Sequence, residues 1–284
     1  MKSRWIILPV ILSLALTGIA GCAPPSTVRG NDKAQMETAR LELGLVDLRY
    51  TGGKNVRVKA QITGEGKTTY NYDLNGGGNW ETFSLPEGDG KYTVKVLENT
   101  MENRYQPVYT TDVTISLSDP NSPFLYPNQF VNYREDSQTV KTAGEVLARG
   151  QTDGEKAALA FDYVVDHLTY DHEKEQSVKP GYLPDVDAVL AQGKGICFDY
   201  AALLCAMCRS QGIPCKLMVG YAGTVYHAWV EVHCRDSAVV DGAIPITAGE
   251  WSPLDPTFVS SSARSEEILR YVTDPRHYKV SYIY

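Results

Sequence analysis

No cluster of lysines and arginines occurs in this 284-residue chain beyond its first few residues. That absence excludes the broad phosphate contact on which nucleic-acid binding rests, and no nucleic-acid partner is expected. The formal net charge is −7, and removing residues 1–21, which hold Lys2 and Arg4 but no acidic side chain, takes it to −9 (−7 − 2). An aspartate-rich loop of the EF-hand pattern is also missing, so no calcium site of that kind is implied. The Gly76-Gly77-Gly78 run is followed by neither a helix pattern nor a Lys-Ser/Thr pair, which points to a flexible hairpin turn instead of a phosphate loop. No Cys-x-x-Cys stands at a helix start, as a dithiol redox site would require. Internal repeats are absent as well.

What is present begins at the amino terminus. Met1-Lys2-Ser3-Arg4 is basic, and residues 5–20 are apolar apart from Ser13 and Thr17. This is the build of a secretory signal; the stretch is short for a membrane span and contains Pro9. Ile19-Ala20-Gly21-Cys22 resembles the lipobox of bacterial lipoproteins, which implies cleavage before Cys22 and lipid attachment to it. The expectation is a signal peptide over 1–21, a lipid-anchored polar tether over 22–40, and a protein held on the outer face of a bacterial membrane.

Two modules follow. Residues 41–50, 56–63, 68–73, 80–85, 91–98 and 108–117 read as strands separated by glycine-rich joints, the pattern of a small Ig-like β-sandwich over 41–118. Its Tyr70, Tyr72, Trp80, Phe83, Tyr92 and Tyr105 could line a ligand surface, but aromatic residues on strands are more often core or cross-strand pairs. Prolines 120, 123 and 127 interrupt periodic structure, so 119–152 is expected to be a connector that includes a first helix at 139–148. A second module over 153–284 opens with a helix at 153–168. Asp153 is its expected cap, and Leu159, Tyr163, Val164 and His167 its inward side. Residues 170–183, polar and broken by Pro180-Gly181, suit either a cleft wall or a plain surface connection.

Three residues in the second module suit thiol acyl transfer. Cys197 follows Gly193-Lys194-Gly195 and precedes a run of helix formers, so it stands at a helix start. There, unpaired N–H groups and the positive end of the helix dipole favour a thiolate and offer donors to an oxyanion. His227 lies on the second strand of an expected hairpin in which Tyr221 faces Tyr226, Val219 faces Ala228 and Leu217 faces Val230. Cys215, Leu217, Val219, Ala228, Val230, Val232 and Cys234 then share one apolar face, while His227, Trp229, Glu231 and His233 point the other way. Asp255, held extended by Pro256, fits the end of a strand, although an aspartate before proline is ordinarily a turn residue.

Residues 195–208, Gly212-Ile213-Pro214, 226–232 and 251–257 together resemble the core of the transglutaminase-like superfamily, a papain-like fold. The resemblance implies an α+β protein in which Cys197 is the nucleophile, His227 the general base and acid, and Asp255 the carboxylate that orients it. No cofactor and no metal are expected. The expected function is hydrolysis of a peptide or protein amide at the cell surface, with an envelope or cell-wall component as a possible substrate. The alternatives are protein-glutamine amine transfer and a catalytically inactive binding module on the same fold. Export would leave Cys197, Cys205, Cys208, Cys215 and Cys234, an odd number that keeps at least one thiol free unless another chain supplies a partner. Cys205 and Cys208 read as buried helix residues. The hairpin register makes a Cys215–Cys234 disulfide conceivable. A zinc site on Cys205, Cys208, Cys215 and Cys234 has irregular spacing against it.

Overall fold

The structure, a computed structural model, describes residues 27–53 and 55–284. The expected signal peptide and Cys22 lie outside the described residues.

The amino-terminal module is two antiparallel four-stranded sheets. One has the order β1-β2-β3-β6, with β1 at Val28–Gly30, β2 at Ala34–Glu37, β3 at Leu45–Tyr50 and β6 at Glu81–Ser84; the other has the order β5-β4-β7-β8, with β4 at Val58–Thr63, β5 at Thr69–Leu74, β7 at Gly90–Met101 and β8 at Arg104–Ile115. Alternation of buried and less buried residues along β4, β5 and β7 sends Ile62, Tyr72, Val94 and Val96 into a core shared with Met36, Leu48 and Phe83. Two expectations change here. The sheet begins within the expected tether, because Ala34 and Met36 alternate with Gln35 and Glu37, are fully buried, and place Met36 opposite Leu48. The glycine run at 76–78 joins β5 to β6, which lie in different sheets, so it is a crossover between layers and not a hairpin turn.

The second module is built around one buried helix. α1 (Gln138–Leu147), α2 (Asp153–His167) and α4 (Val186–Gln192) pack about α5 (Cys197–Ser210), in which every residue from Tyr200 to Cys208 is fully buried. Against α5 lies an antiparallel sheet in the order β15-β12-β11-β16, formed by β11 (Cys215–Ala222), β12 (Val225–His233), β15 (Trp251–Leu254) and β16 (Tyr278–Ile283). Short elements complete it: β9 (Thr169–Tyr170) beside β10 (Lys194–Gly195), the hairpin β13 (Ala238–Val240) and β14 (Ile244–Ile246), and helices α3 (His172–Ser177), α6 (Pro256–Ser261) and α7 (Glu266–Val272). Each fully buried leucine of α5 contributes about 1.5–3 kcal/mol to this packing.

α2 differs from its expected form in two respects. Thr152 is the cap, accepting the Glu155 N–H at 3.2 Å, while Asp153 is the first helical residue and binds Arg235. The inward stripe is Ala157, Ala160, Phe161, Val164 and Val165; of the four residues expected there only Val164 is buried. The small alanines let α2 approach α5 closely, which a stripe of larger residues would prevent.

The modules meet at the connector. Phe130 fits between Tyr284 (ring centroids 4.4 Å apart), Phe198 (5.4 Å) and Tyr72 (5.5 Å), and Gln129 Nε2 donates to Asp73 O and to Glu81 Oε1. Beneath them Arg209, 3% exposed, donates from Nε to Cys215 O, from Nη1 to Tyr126 O and from Nη2 to Tyr284 O, at 2.8, 2.9 and 2.8 Å. Arg209→Met preserves length and removes all three donors. Stability in urea is expected to fall by about 3–5 kcal/mol, since buried carbonyls lose charge-assisted bonds; a loss below about 1 kcal/mol would show that water replaces the guanidinium.

Candidate active site

The nucleophile segment is fixed from both sides. Gly193, at φ +64°, ends α4, and Gly195 has room for no side chain because a Cβ there would lie 2.6 Å from Asp199 Cβ. α5 then starts at Cys197, as the glycine break predicts. Asp199 in its first turn is fully buried and accepts three hydrogen bonds: from Ile196 N–H at 2.9 Å, from Lys174 Nζ at 2.6 Å and from Tyr182 Oη at 2.5 Å. Lys174 lies in α3 and Tyr182 in the following loop, so this carboxylate bolts residues 172–183 to the start of α5. That segment is therefore a cleft wall. Neither partner is marked by any local sequence pattern.

The hairpin forms in the expected register, with Tyr221 opposite Tyr226, Val219 opposite Ala228 and Leu217 opposite Val230. Ala222 also pairs with Val225, which narrows the turn to Gly223-Thr224. The face that carries His227 is closed and not open to water. Trp229 is 1% and His227 4% exposed, because α6 and β16 cover them. The imidazole stacks on Phe258 at 4.3 Å between centroids and 10° between planes, and Trp229 packs on Tyr278 at 4.8 Å.

Asp255 follows the last residue of β15 and caps α6, its Oδ1 accepting Phe258 N–H at 3.0 Å. The turn role and the site role thus coincide in one residue. Its Oδ2 accepts from His227 Nε2 at 2.8 Å and from Tyr278 Oη at 2.8 Å. Burial, followed by the Asp255 charge, raises the Tyr278 phenol above its ordinary value, so it remains a protonated donor. With Nε2 given to Asp255, Nδ1 is the imidazole nitrogen left for a thiol.

Cys197, partly exposed, lines the same cavity as His227. Burial pulls the His227 pKa down, but the Asp255 charge and hydrogen bond and then the Cys197 sulfur outweigh it, and the net value rises from 6.5 to about 10. The three residues singled out from the sequence are therefore brought together, whereas Cys205, Cys208, Cys215 and Cys234 are buried away from the cavity. No disulfide joins Cys215 to Cys234; Cys215 lies opposite Val232, and its sulfur faces Cys205 instead. The cavity measures about 940 Å³. Its walls include Phe198, Tyr226 and Phe258, and its far end is made by Lys59, Asn71 and Asp73 of the β-sandwich. The residues missed in the sequence are Phe258, Tyr278, Lys174 and Tyr182, each recruited from a separate segment.

Residues 140–256 match the sequence profile of the Transglutaminase-like superfamily. The transglutaminase-like core so delimited contains Cys197, His227 and Asp255; Phe258 and Tyr278 lie beyond it. No curated protein matches the chain by sequence. Solved structures that resemble it include a candidate cysteine protease from Cytophaga hutchinsonii, with 15% identity over 90% of this chain and 73% of that one and a TM-score of 0.43. A candidate protease from Parabacteroides distasonis has 12% identity over 78% and 64%, with a TM-score of 0.31. Red sea bream transglutaminase has 13% identity over 75% and 47%, with a TM-score of 0.32.

Asp255→Asn keeps the shape of the cap and removes the charge. Burial then acts on His227 with less opposition, and its pKa is expected to drop from about 10 towards or below 6.5, as read from imidazole NMR titration. An imidazole whose folded pKa exceeds its unfolded value stabilises the fold fully below the unfolded value and loses that contribution as pH rises through the folded one. The stability gap between the wild type and Asp255→Asn should therefore be widest below 6.5 and close as pH approaches about 10. A His227 titration unchanged by the substitution would overturn this assignment of the cause.

Proposed function

We propose that the protein is a cysteine-nucleophile amide hydrolase that acts on a peptide or protein, with Cys197 as nucleophile, His227 as general base and acid, and Asp255 as the carboxylate that holds the imidazole. The observation that carries this reading is the Nε2 bond from His227 to a buried Asp255, beside a cysteine at a helix start in one cleft. The match of residues 140–256 to a superfamily of acyl-transfer folds supports it.

In this mechanism His227 stands protonated beside the Cys197 thiolate, which attacks the amide carbonyl carbon. The carbonyl oxygen becomes an oxyanion facing N–H groups at the start of α5. His227 Nδ1 delivers its proton to the leaving amine as the C–N bond breaks, and Asp255 keeps the ring from turning. Water, deprotonated by the now neutral His227, then releases the acid and the free cysteine. The second reading is amine transfer, in which an amine packed against the aromatic walls at Phe198, Tyr226 and Phe258 replaces water in the last step.

Residues 1–22 support a location as a lipoprotein on the outer face of a bacterial membrane, with envelope or cell-wall peptides within reach. Cys22→Ser should shift the protein from the membrane to the soluble fraction and abolish the mass of the lipid; unaltered fractionation and mass would remove the anchor from the proposal.

Cys197→Ser is expected to abolish turnover of peptide amides while leaving the unfolding midpoint unchanged, and His227→Ala to slow turnover roughly 10²–10⁴-fold. Iodoacetamide should label Cys197 ahead of Cys205 and Cys208 in the native protein, and more slowly in His227→Ala. A peptide library assayed with and without added amines separates hydrolysis from transfer. Equal labelling of every cysteine, or labelling indifferent to His227, would leave a binding module without catalysis.

A further inference from the structure

Among the described residues four cysteines lie outside the proposed site, and all four are buried. Two of them meet. Cys205, in the middle of α5, and Cys215, the first residue of β11, have sulfurs 3.2 Å apart. Both side chains are fully buried. Cys205 Sγ also makes a long contact to Cys215 O at 3.8 Å. Thiols are weak donors and weak acceptors, so two of them side by side in a dry core satisfy each other poorly. Cys208, one turn along α5, also lies against Cys215. Cys234, the partner that the hairpin alone suggests, makes no hydrogen bond to Cys215 among the described residues.

The position of this pair matters more than its chemistry. α5 presents Cys197 at its start, and β11 pairs along its length with β12, which presents His227. A covalent bond from Cys205 to Cys215 would tie the helix that carries one group to the sheet that carries the other. With Cys22 taken by lipid and Cys197 kept free, the six cysteines after residue 21 leave four for such use.

We infer that Cys205 and Cys215 are joined by a disulfide in the exported protein; the inference rests on the export reading above. The two thiols lose two protons and two electrons and form one S–S bond. The electrons and protons pass to the disulfide of a thiol-oxidising protein in that compartment, or to oxidised glutathione in vitro, which is reduced to two thiols. The bond closes before the core does, since folded access to either sulfur is blocked.

The test sends the protein to an oxidising compartment twice, once as the full chain, whose Cys22 is taken by lipid, and once with an unrelated secretory signal in place of residues 1–22, so that five thiols remain in each. The protein is then unfolded in iodoacetamide without reductant. Three of the five thiols should be alkylated, Cys197, Cys208 and Cys234, and all five after reduction. Intact mass before alkylation should be lower by two hydrogens. Trypsin leaves Cys205 and Cys208 on one peptide, between Lys194 and Arg209, so Cys208→Ser makes the distinction: the bond persists in it and disappears in Cys205→Ser. Five reactive thiols without reduction from both signals would overturn the inference, as would a bond that Cys208→Ser abolishes. A bond that forms with the unrelated signal alone upholds the pairing and removes the export reading.

Discussion

Arg209 holds together the parts between which the cleft is formed. Its guanidinium is buried at the carboxyl end of α5, where the helix dipole favours a cation, and its three donors reach the first residue of β11, the connector at Tyr126 and the carbonyl of Tyr284. A helix buried on all sides has no solvent-facing stripe to define its rotation or its depth. Its two ends must do so. Arg209 fixes one end by satisfying the carbonyls of three other segments, and Asp199 fixes the other by accepting from three donors. Cys197 emerges into the cleft at a set place because both ends of a 14-residue helix are tied.

The two buried carboxylates beside the cleft are built on one plan and differ in a single partner. Asp199 and Asp255 each accept a backbone N–H at a helix start, from Ile196 and Phe258, and each accepts a tyrosine hydroxyl, from Tyr182 and Tyr278. The third donor of Asp199 is Lys174; that of Asp255 is His227. The Lys174 bond simply anchors the loop. An imidazole can also give its proton up, and the second nitrogen of its ring remains available to a thiol. Burial pulls on that proton in one direction, and the Asp255 charge and hydrogen bond together with the Cys197 sulfur outweigh it in the other.

The β-sandwich takes part in the cleft as well as preceding it. Lys59, Asn71 and Asp73 form the far end of the cavity, and Gly181 of the loop bolted to Asp199 comes so close to Asp73 that a side chain there would push its carboxylate aside. Phe130 seals the joint by touching Tyr72 on one side and Phe198, the neighbour of Cys197, on the other. A substrate long enough to fill this cavity contacts both modules, and the aromatic joint makes their relative position a matter of packing and not of a free linker.

Local patterns along the chain were enough to read the strand-rich first module, the break after it, the helix start at Cys197, the hairpin register around His227 and the strand end before Asp255. Each of these rests on neighbours within about ten residues: a glycine break, a period of two, a proline after an aspartate. The β2 strand escaped because four alternating residues between polar neighbours make a weak pattern, and the inward stripe of α2 was misplaced because close packing selected its alanines over its larger residues. Long-range packing set which side of the hairpin is dry, what holds Asp255, and which cysteine faces Cys215. Tyr278, Phe258, Lys174, Tyr182 and Cys205 come from segments whose own patterns say nothing of one another, and such pairings follow from the packing of the whole core, where a buried donor must find an acceptor wherever the chain places one.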